Sequence, residues 1–255
     1  MFLNLMKSVL LFLLVSSTAM SSVTITGTRI IFIGDNKDQV VRLNNKSMTA
    51  PALVQVWVDD GIKINDINNK DIPFVVTPPV SRIEPNKGQS IRLIYNGMVL
   101  PQDKESIFYF NLLEIPPENP GAEGPRLDIA FKTRIKLFYR PAALLKSNVI
   151  EQADKLVLEQ VNNPQKGTGI KVTNPTPYYA NFSEMMVNVG GTVVKVNSDT
   201  ADMVAPGSSV EFYGASALSG TVSEINCSIL NDYGSPTDIK LIKGTGPGFT
   251  AVKAK

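Results

Sequence analysis

Residues 127–139 read Leu127-Asp-Ile-Ala-Phe-Lys-Thr-Arg-Ile-Lys-Leu-Phe-Tyr139, and how this stretch is read decides the fold. Leu127, Ile129, Phe131, Ile135, Leu137 and Tyr139 share one parity, interrupted by Thr133. Asp128, Lys132, Arg134 and Lys136 share the other. A period of two with one apolar and one charged side is the pattern of a β-strand. At about 3.3 Å per residue the stretch would run about 40 Å, roughly twice a common strand. It follows Pro116–Pro125, a segment with four prolines and two glycines in ten residues. It stops at Arg140-Pro141, because proline cannot donate to a ladder. Two readings follow: a long core strand closing a β-sandwich, or a strand with length left over for a partner chain.

Alternating runs of the same kind flank it on both sides, with almost nothing at helical period. Val23–Ile33, Gln39–Leu43, Leu53–Val58, Phe74–Val76, Ser90–Tyr95 and Ser106–Leu113 precede it, separated by turn clusters such as Gly34-Asp-Asn and Pro85-Asn-Lys-Gly. Short strands at this spacing predict an immunoglobulin-like sandwich. After Pro141-Ala-Ala the pattern restarts over 155–161, 169–172, 178–182, 185–189, 192–196, 209–213, 221–229 and 238–242. Gly190-Gly191 between Val189 and Thr192 signals a two-residue hairpin. The expected fold is all-β: two immunoglobulin-like domains, 22–142 and 148–246, with a frayed lysine-rich tail after about Gly244.

The first 21 residues carry Lys7 as their only charge, an apolar run from Ser8 to Val15, and small residues beyond it. That is the layout of a secretory signal, and it is too short to span a bilayer. An exported protein without membrane insertion is expected. Without Lys7 there remain 24 basic and 23 acidic side chains, a balance that gives no electrostatic reason for a nucleic-acid partner. The single cysteine, Cys227, alternates with Ile225 and Ile229 and reads as buried filler.

Histidine is absent, which excludes Ser-His-Asp and Cys-His nucleophile systems and imidazole-based metal sites. Asp59-Asp60 is the nearest thing to a carboxylate dyad. Adjacent residues of a strand face opposite ways and Gly61 follows, so the pair reads as a turn. No catalytic residue, metal ligand or cofactor is expected.

A longer set of motifs resembles a known family. Thr28-Arg29-Ile30-Ile31-Phe32 is followed by Thr77-Pro78-Pro79-Val80, Arg82-Ile83-Glu84-Pro85 and Leu100-Pro101-Gln102-Asp103. Then come Glu105-Ser-Ile-Phe-Tyr-Phe-Asn-Leu112, Glu114-Ile-Pro-Pro117 and Ile135-Lys-Leu-Phe-Tyr-Arg-Pro141. Asn174-Pro-Thr-Pro-Tyr-Tyr179 and Asn231-Asp-Tyr-Gly234 complete the set. In this order they resemble the PapD-like periplasmic pilus chaperones of the chaperone–usher pathway, a family whose sandwich fold and strand donation to pilins are general knowledge.

The resemblance implies two immunoglobulin-like domains in a boomerang arrangement. It implies a periplasmic, non-enzymatic protein that binds, folds and caps pilus subunits and delivers them to an outer-membrane usher. Arg29 and Lys136 match the pair that grips the subunit's C-terminal carboxylate, chemistry that suits a guanidinium and an ammonium. Leu127, Ile129 and Phe131 match the apolar residues of the donated strand. Glu105, Arg140 and Asp232 match an interdomain salt-bridge triad. An exposed apolar strand needs cover, so the free protein is expected to cap itself, as a homodimer or with its 116–125 loop. The alternative on the same fold is an exported adhesin or carbohydrate-binding module. A sugar site would want exposed aromatics, whereas Trp57, the lone tryptophan, lies in the run Val54–Val58 and is expected in or near the core.

Overall fold

Alternate side chains of each strand face inward, and two separate cores result. The computed structural model describes residues 22–64, 71–115, 129–198, 202–217, 219–243 and 248–252. The expected signal, Leu127 and the 116–125 loop lie outside these residues. The first half contains β1 (Val23–Ile25), β2 (Arg29–Ile33), β3 (Asp38–Asn45), β4 (Ala52–Asp59) and β5 (Phe74–Thr77). β6 (Val80–Ile83), β7 (Gly88–Tyr95), β8 (Ser106–Ile115) and β9 (Phe131–Arg140) follow. They form one sheet in the order β1-β3-β7-β5 and another in the order β2-β9-β8-β4-β6. Phe32, Leu43, Val54, Ile91, Phe110 and Leu137 fill the space between them.

The second half contains β10 (Val157–Asn163), β11 (Gly167–Thr173), β12 (Ala180–Val189), β13 (Thr192–Asn197) and β14 (Met203–Val204). β15 (Ser209–Gly214), β16 (Val222–Leu230), β17 (Pro236–Lys243) and β18 (Phe249–Val252) complete it. The hydrogen-bonded path runs β10-β11-β15-β13-β12-β16-β17-β18, with β14 against β12. A bridge between Glu159 and Gly248 brings its end back to its beginning. Tyr178, Ile170, Phe182, Phe212, Ile225 and Cys227 form this core. Burial pushes the Cys227 thiol up to about 12, as expected of an inert filler.

The two-sandwich, all-β fold is as the sequence led us to expect, but several boundaries differ. The run Val23–Ile33 is two strands rather than one: Gly27 at φ 91° turns the chain from the first sheet into the second. The stretch read as a strand from Leu127 enters its ladder only at Phe131, opposite Glu114. Ile129 and Ala130 precede the first paired rung and belong to no strand among the described residues. The runs expected at 178–182 and 185–189 merge into one strand, which starts only at Ala180 and has a register shift between Phe182 and Glu184. The tail expected to fray instead returns as β18 on the edge of β17, with Phe249 buried.

The cores meet at a joint built on Arg140, the last residue of β9. Its Nε donates to Glu105 Oε1 at 2.8 Å, and its two terminal nitrogens donate to both Asp232 oxygens at 2.7 Å. Glu105 Oε2 accepts from the Tyr179 N–H at 2.8 Å, and the Glu105 N–H donates to the Pro177 carbonyl at 2.9 Å. Phe138 and Tyr179 pack rings 5.5 Å apart beside them. The Arg140 and Glu105 side chains are only 7% and 3% exposed, so this cluster is unlike a solvated surface pair. Burial by itself would lower the Arg140 guanidinium, but bonds and charge from Asp232 and Glu105 outweigh it and hold it above its usual range. Burial raises the Glu105 carboxyl, partly offset by Arg140 and the Tyr179 N–H.

Deleting the β17 cover should be costly. Phe249→Ala is expected to destabilise the second domain by about 3 kcal/mol, the usual scale for a buried aromatic. Thermal unfolding would show it, and an unchanged melting temperature would mean β18 contributes nothing.

Glu105 gives a pH signature. Its folded pKa lies above the ordinary 4.5, so its contribution is full below that value and is lost as pH rises through the folded one. Wild type should therefore lose stability relative to Glu105→Gln as pH rises from about 4.5 through that window. Parallel stability–pH curves for the two proteins would contradict this.

Candidate functional site

β2 lies parallel to β9, whereas β8 on the other flank of β9 is antiparallel to it. The parallel register runs from Arg29 beside Lys136 to Ile33 beside Arg140. Among the described residues, Phe131–Ile135 therefore have a strand ladder on the β8 side only. No described strand lies along their other edge, and the chain reaches it from Ile129, which is 53% exposed. Phe131 is half-buried at the first rung. The cationic pair sits where the open half of the strand begins.

The pair is electrostatically uncomfortable. Burial lowers the Lys136 ammonium, and the neighbouring charge of Arg29 lowers it further, with Asp202 offsetting part. Burial also lowers the Arg29 guanidinium against the pull of Asp232 and Glu105. Arg29 Nε is buried with no hydrogen-bond partner among the described residues. The Arg29 guanidinium carbon lies 6.0 Å from the centre of the Phe138 ring. Lys136 Nζ donates to Asn181 Oδ1 at 2.6 Å, across to β12 of the other domain. Half-buried cations with no direct ion pair among the described residues are poor contributors to stability and well suited to receiving an anion.

A cavity of about 420 Å³ opens beside Arg29, lined also by Arg42, Arg140, Asp232 and Tyr233. Lys136 is not among its walls, so it neighbours the cationic pair without enclosing it. The Asn231–Gly234 turn comes close here because Gly234 has φ 82° and no side chain. A Cβ at Gly234 would lie 2.0 Å from Thr28 Oγ1. The turn that supplies Asp232 to the joint thus packs against the residue preceding Arg29.

Sequence reasoning missed two features. Asp60 caps the turn as expected, accepting from the Ile62 and Lys63 N–H groups. Asp59 also serves the turn, accepting from the Gly61 N–H at 2.8 Å, but it is fully buried and in addition pairs with Arg134 of β9 at 2.5 Å, while Asn111 donates to it at 2.7 Å. Arg134 stacks on Tyr109 at 3.7 Å and Lys132 on Trp57 at 4.9 Å, so the charged side of β9 rests on aromatic rings. Their even parity with Lys136 was the available signal. Asn181 is the other omission, and nothing in its sequence neighbourhood pointed to Lys136. Trp57 is buried, its indole N–H facing the Ile64 carbonyl at 3.4 Å.

Comparison with known proteins agrees with this geometry. Residues 22–145 match the family described as pili and flagellar-assembly chaperone, PapD N-terminal domain. Residues 151–241 match the pili assembly chaperone PapD, C-terminal domain. The probable fimbrial chaperone YadV of Escherichia coli K12 is 40% identical over 227 residues, 86% of this chain and 89% of that one. The crystal structure of the Pseudomonas aeruginosa CupB2 chaperone superimposes with a TM-score of 0.72 at 34% identity, covering 87% of this chain and 100% of the other. A Salmonella enterica chaperone, SafB, solved in complex with SafA pilin, has a TM-score of 0.68 at 26% identity and covers 89% and 99%. With both family domains matched in order along one chain, this protein belongs to the PapD-like pilus chaperones of the chaperone–usher pathway.

Proposed function

We propose that the chain is a periplasmic chaperone that captures pilus subunits by lending them the open half of β9. The observation that carries this reading is positional. Arg29 and Lys136 are register partners at the point where β9 loses its second ladder. A subunit carboxylate held there would start its strand at a fixed rung, and the subunit strand would then run along the open edge. A slip of one residue would present the wrong face, so the anchor sets register. Phe131 and Ile129 then enter the subunit, and we assign Leu127 the same role. Each could contribute roughly 1.5–3 kcal/mol, and each charge-assisted bond to the carboxylate roughly as much before desolvation.

Glu105, Arg140 and Asp232 keep the domains at the angle this docking needs. The subunit is then handed to an outer-membrane usher, with no enzymatic step and no cofactor. SafB bound to SafA pilin is a relative's example of the partner class. We take residues 1–21 as the secretory signal, 22–142 as the first domain, and the second as running from 148 to at least Val252. The adhesin reading on the same fold has less support, since Trp57 is buried and, among the described residues, no cluster of exposed aromatics accompanies it.

Arg29→Ala and Lys136→Ala should both leave folded protein, by circular dichroism, that fails to retain subunits in a periplasmic pull-down. Normal retention would sink the anchor, and loss of fold in both would make the residues structural. Ile129→Asp should weaken capture by at least tenfold with little change in melting temperature, because the side chain is exposed in the free protein. A large drop in melting temperature would instead identify it as core.

Cover of the open edge by self-association is the second part of the reading. Amides 131–135 should gain hydrogen-exchange protection with protein concentration if a homodimer caps them. Equal protection in dilute and concentrated samples would exclude the dimer and leave the 116–125 loop as the cover.

A further inference from the structure

Two like charges side by side in a half-buried cleft repel, and a flexible lysine would ordinarily escape toward water. Lys136 does not, because the Asn181 Oδ1 atom accepts from its Nζ at 2.6 Å. Asn181 is only 2% exposed and lies near the start of β12, in the second domain. Its own Nδ2 donates to the Tyr179 carbonyl at 3.2 Å, which assigns the amide oxygen to the ammonium. Tyr179 is held in turn by the Glu105 carboxylate of the interdomain joint. An ammonium has three donors, so one bond to Asn181 leaves two for another acceptor. A neutral amide oxygen orients the charge without cancelling it. An aspartate of nearly the same shape would cancel it.

We propose that Asn181 is a third member of the carboxylate site, supplied by the second domain, which aims the Lys136 ammonium at the incoming carboxylate and keeps it charged. Carboxylate recognition is then composite: the first domain brings both cations, and the second fixes where one of them points. The proposal rests on the reading of Arg29 and Lys136 as the carboxylate grip, and the test separates the two.

The probe is a peptide copying the C-terminal strand of the subunit that co-purifies with wild-type protein, made with a free C-terminal carboxylate and, separately, with a C-terminal amide. Wild type should bind the acid at least tenfold more tightly than the amide. Asn181→Asp should remain folded and bring that ratio close to one, because its own carboxylate occupies Lys136. Asn181→Ala, which removes the aim but adds no charge, should lower the ratio severalfold. General structural damage would weaken both peptides alike and leave the ratio untouched, so the ratio reports the site itself. A full wild-type ratio in a folded Asn181→Asp protein would overturn the proposal, as would one in Asn181→Ala if the aspartate variant does not fold. Equal binding of acid and amide by wild type would instead remove the carboxylate grip on which it rests.

Discussion

Among the described residues β9 is paired on both flanks for only half its length, and most of the molecule's working parts follow from that asymmetry. β2 runs parallel to it and covers Lys136–Arg140 alone. The covered half has the security of a central strand and carries Lys136, the Phe138 contact and the joint at Arg140. The other half has no second strand beside it among the described residues, and such edges are ones that proteins normally mask or blunt. A single strand is therefore core at one end and interaction surface at the other. Gly27 is the hinge of this arrangement, because its positive φ takes the chain out of the first sheet and lays β2 down beside β9.

An edge strand that must accept a partner also has to hold its own frame. The charged side of β9 does this by resting on its neighbours: Lys132 on Trp57, Arg134 on Tyr109 and Asp59, Lys136 on Asn181. Arg134 reaches past β8 to a carboxylate on β4, which ties three strands together from the side opposite the core. The cost is visible in buried polar atoms without partners among the described residues, at Arg29, Asn111 and Arg134. Fully satisfied networks rigidify a fold, and incomplete ones tend to mark places where function has been favoured over stability.

The joint between domains and the cationic pair are mechanically one unit. Arg140 grips Asp232, the turn carrying Asp232 packs Gly234 on Thr28, and Thr28 leads directly into Arg29. On the other side Glu105 holds the Tyr179 backbone, two residues from the Asn181 that holds Lys136. A shift of one domain against the other would move both cations. Burial makes the joint stiff, since removing any charged member would leave its partner uncompensated in a poorly hydrated setting.

The sequence alone determined the all-β class, the two sandwiches and the chemistry available, because period-two alternation, turn clusters and the absence of histidine are local properties. Motif order identified Arg29, Lys136, Glu105, Arg140 and Asp232 as the residues to watch. Other features were decided only by tertiary structure. Val23–Ile33 reads as one strand, yet it divides at Gly27 because two different sheets offer it partners. The 127–139 pattern reads as one strand, yet among the described residues its ladder starts only at Phe131, opposite Glu114. Phe249 looks like part of a polar tail until the β17 edge gives it somewhere to bury. Asn181 and Lys136 are far apart in the chain and meet only when both domains are folded and joined. Parity along a strand says which way a side chain points. Which neighbour it finds there depends on strand order, register and the placing of one domain against the other, and none of these is written in the local pattern.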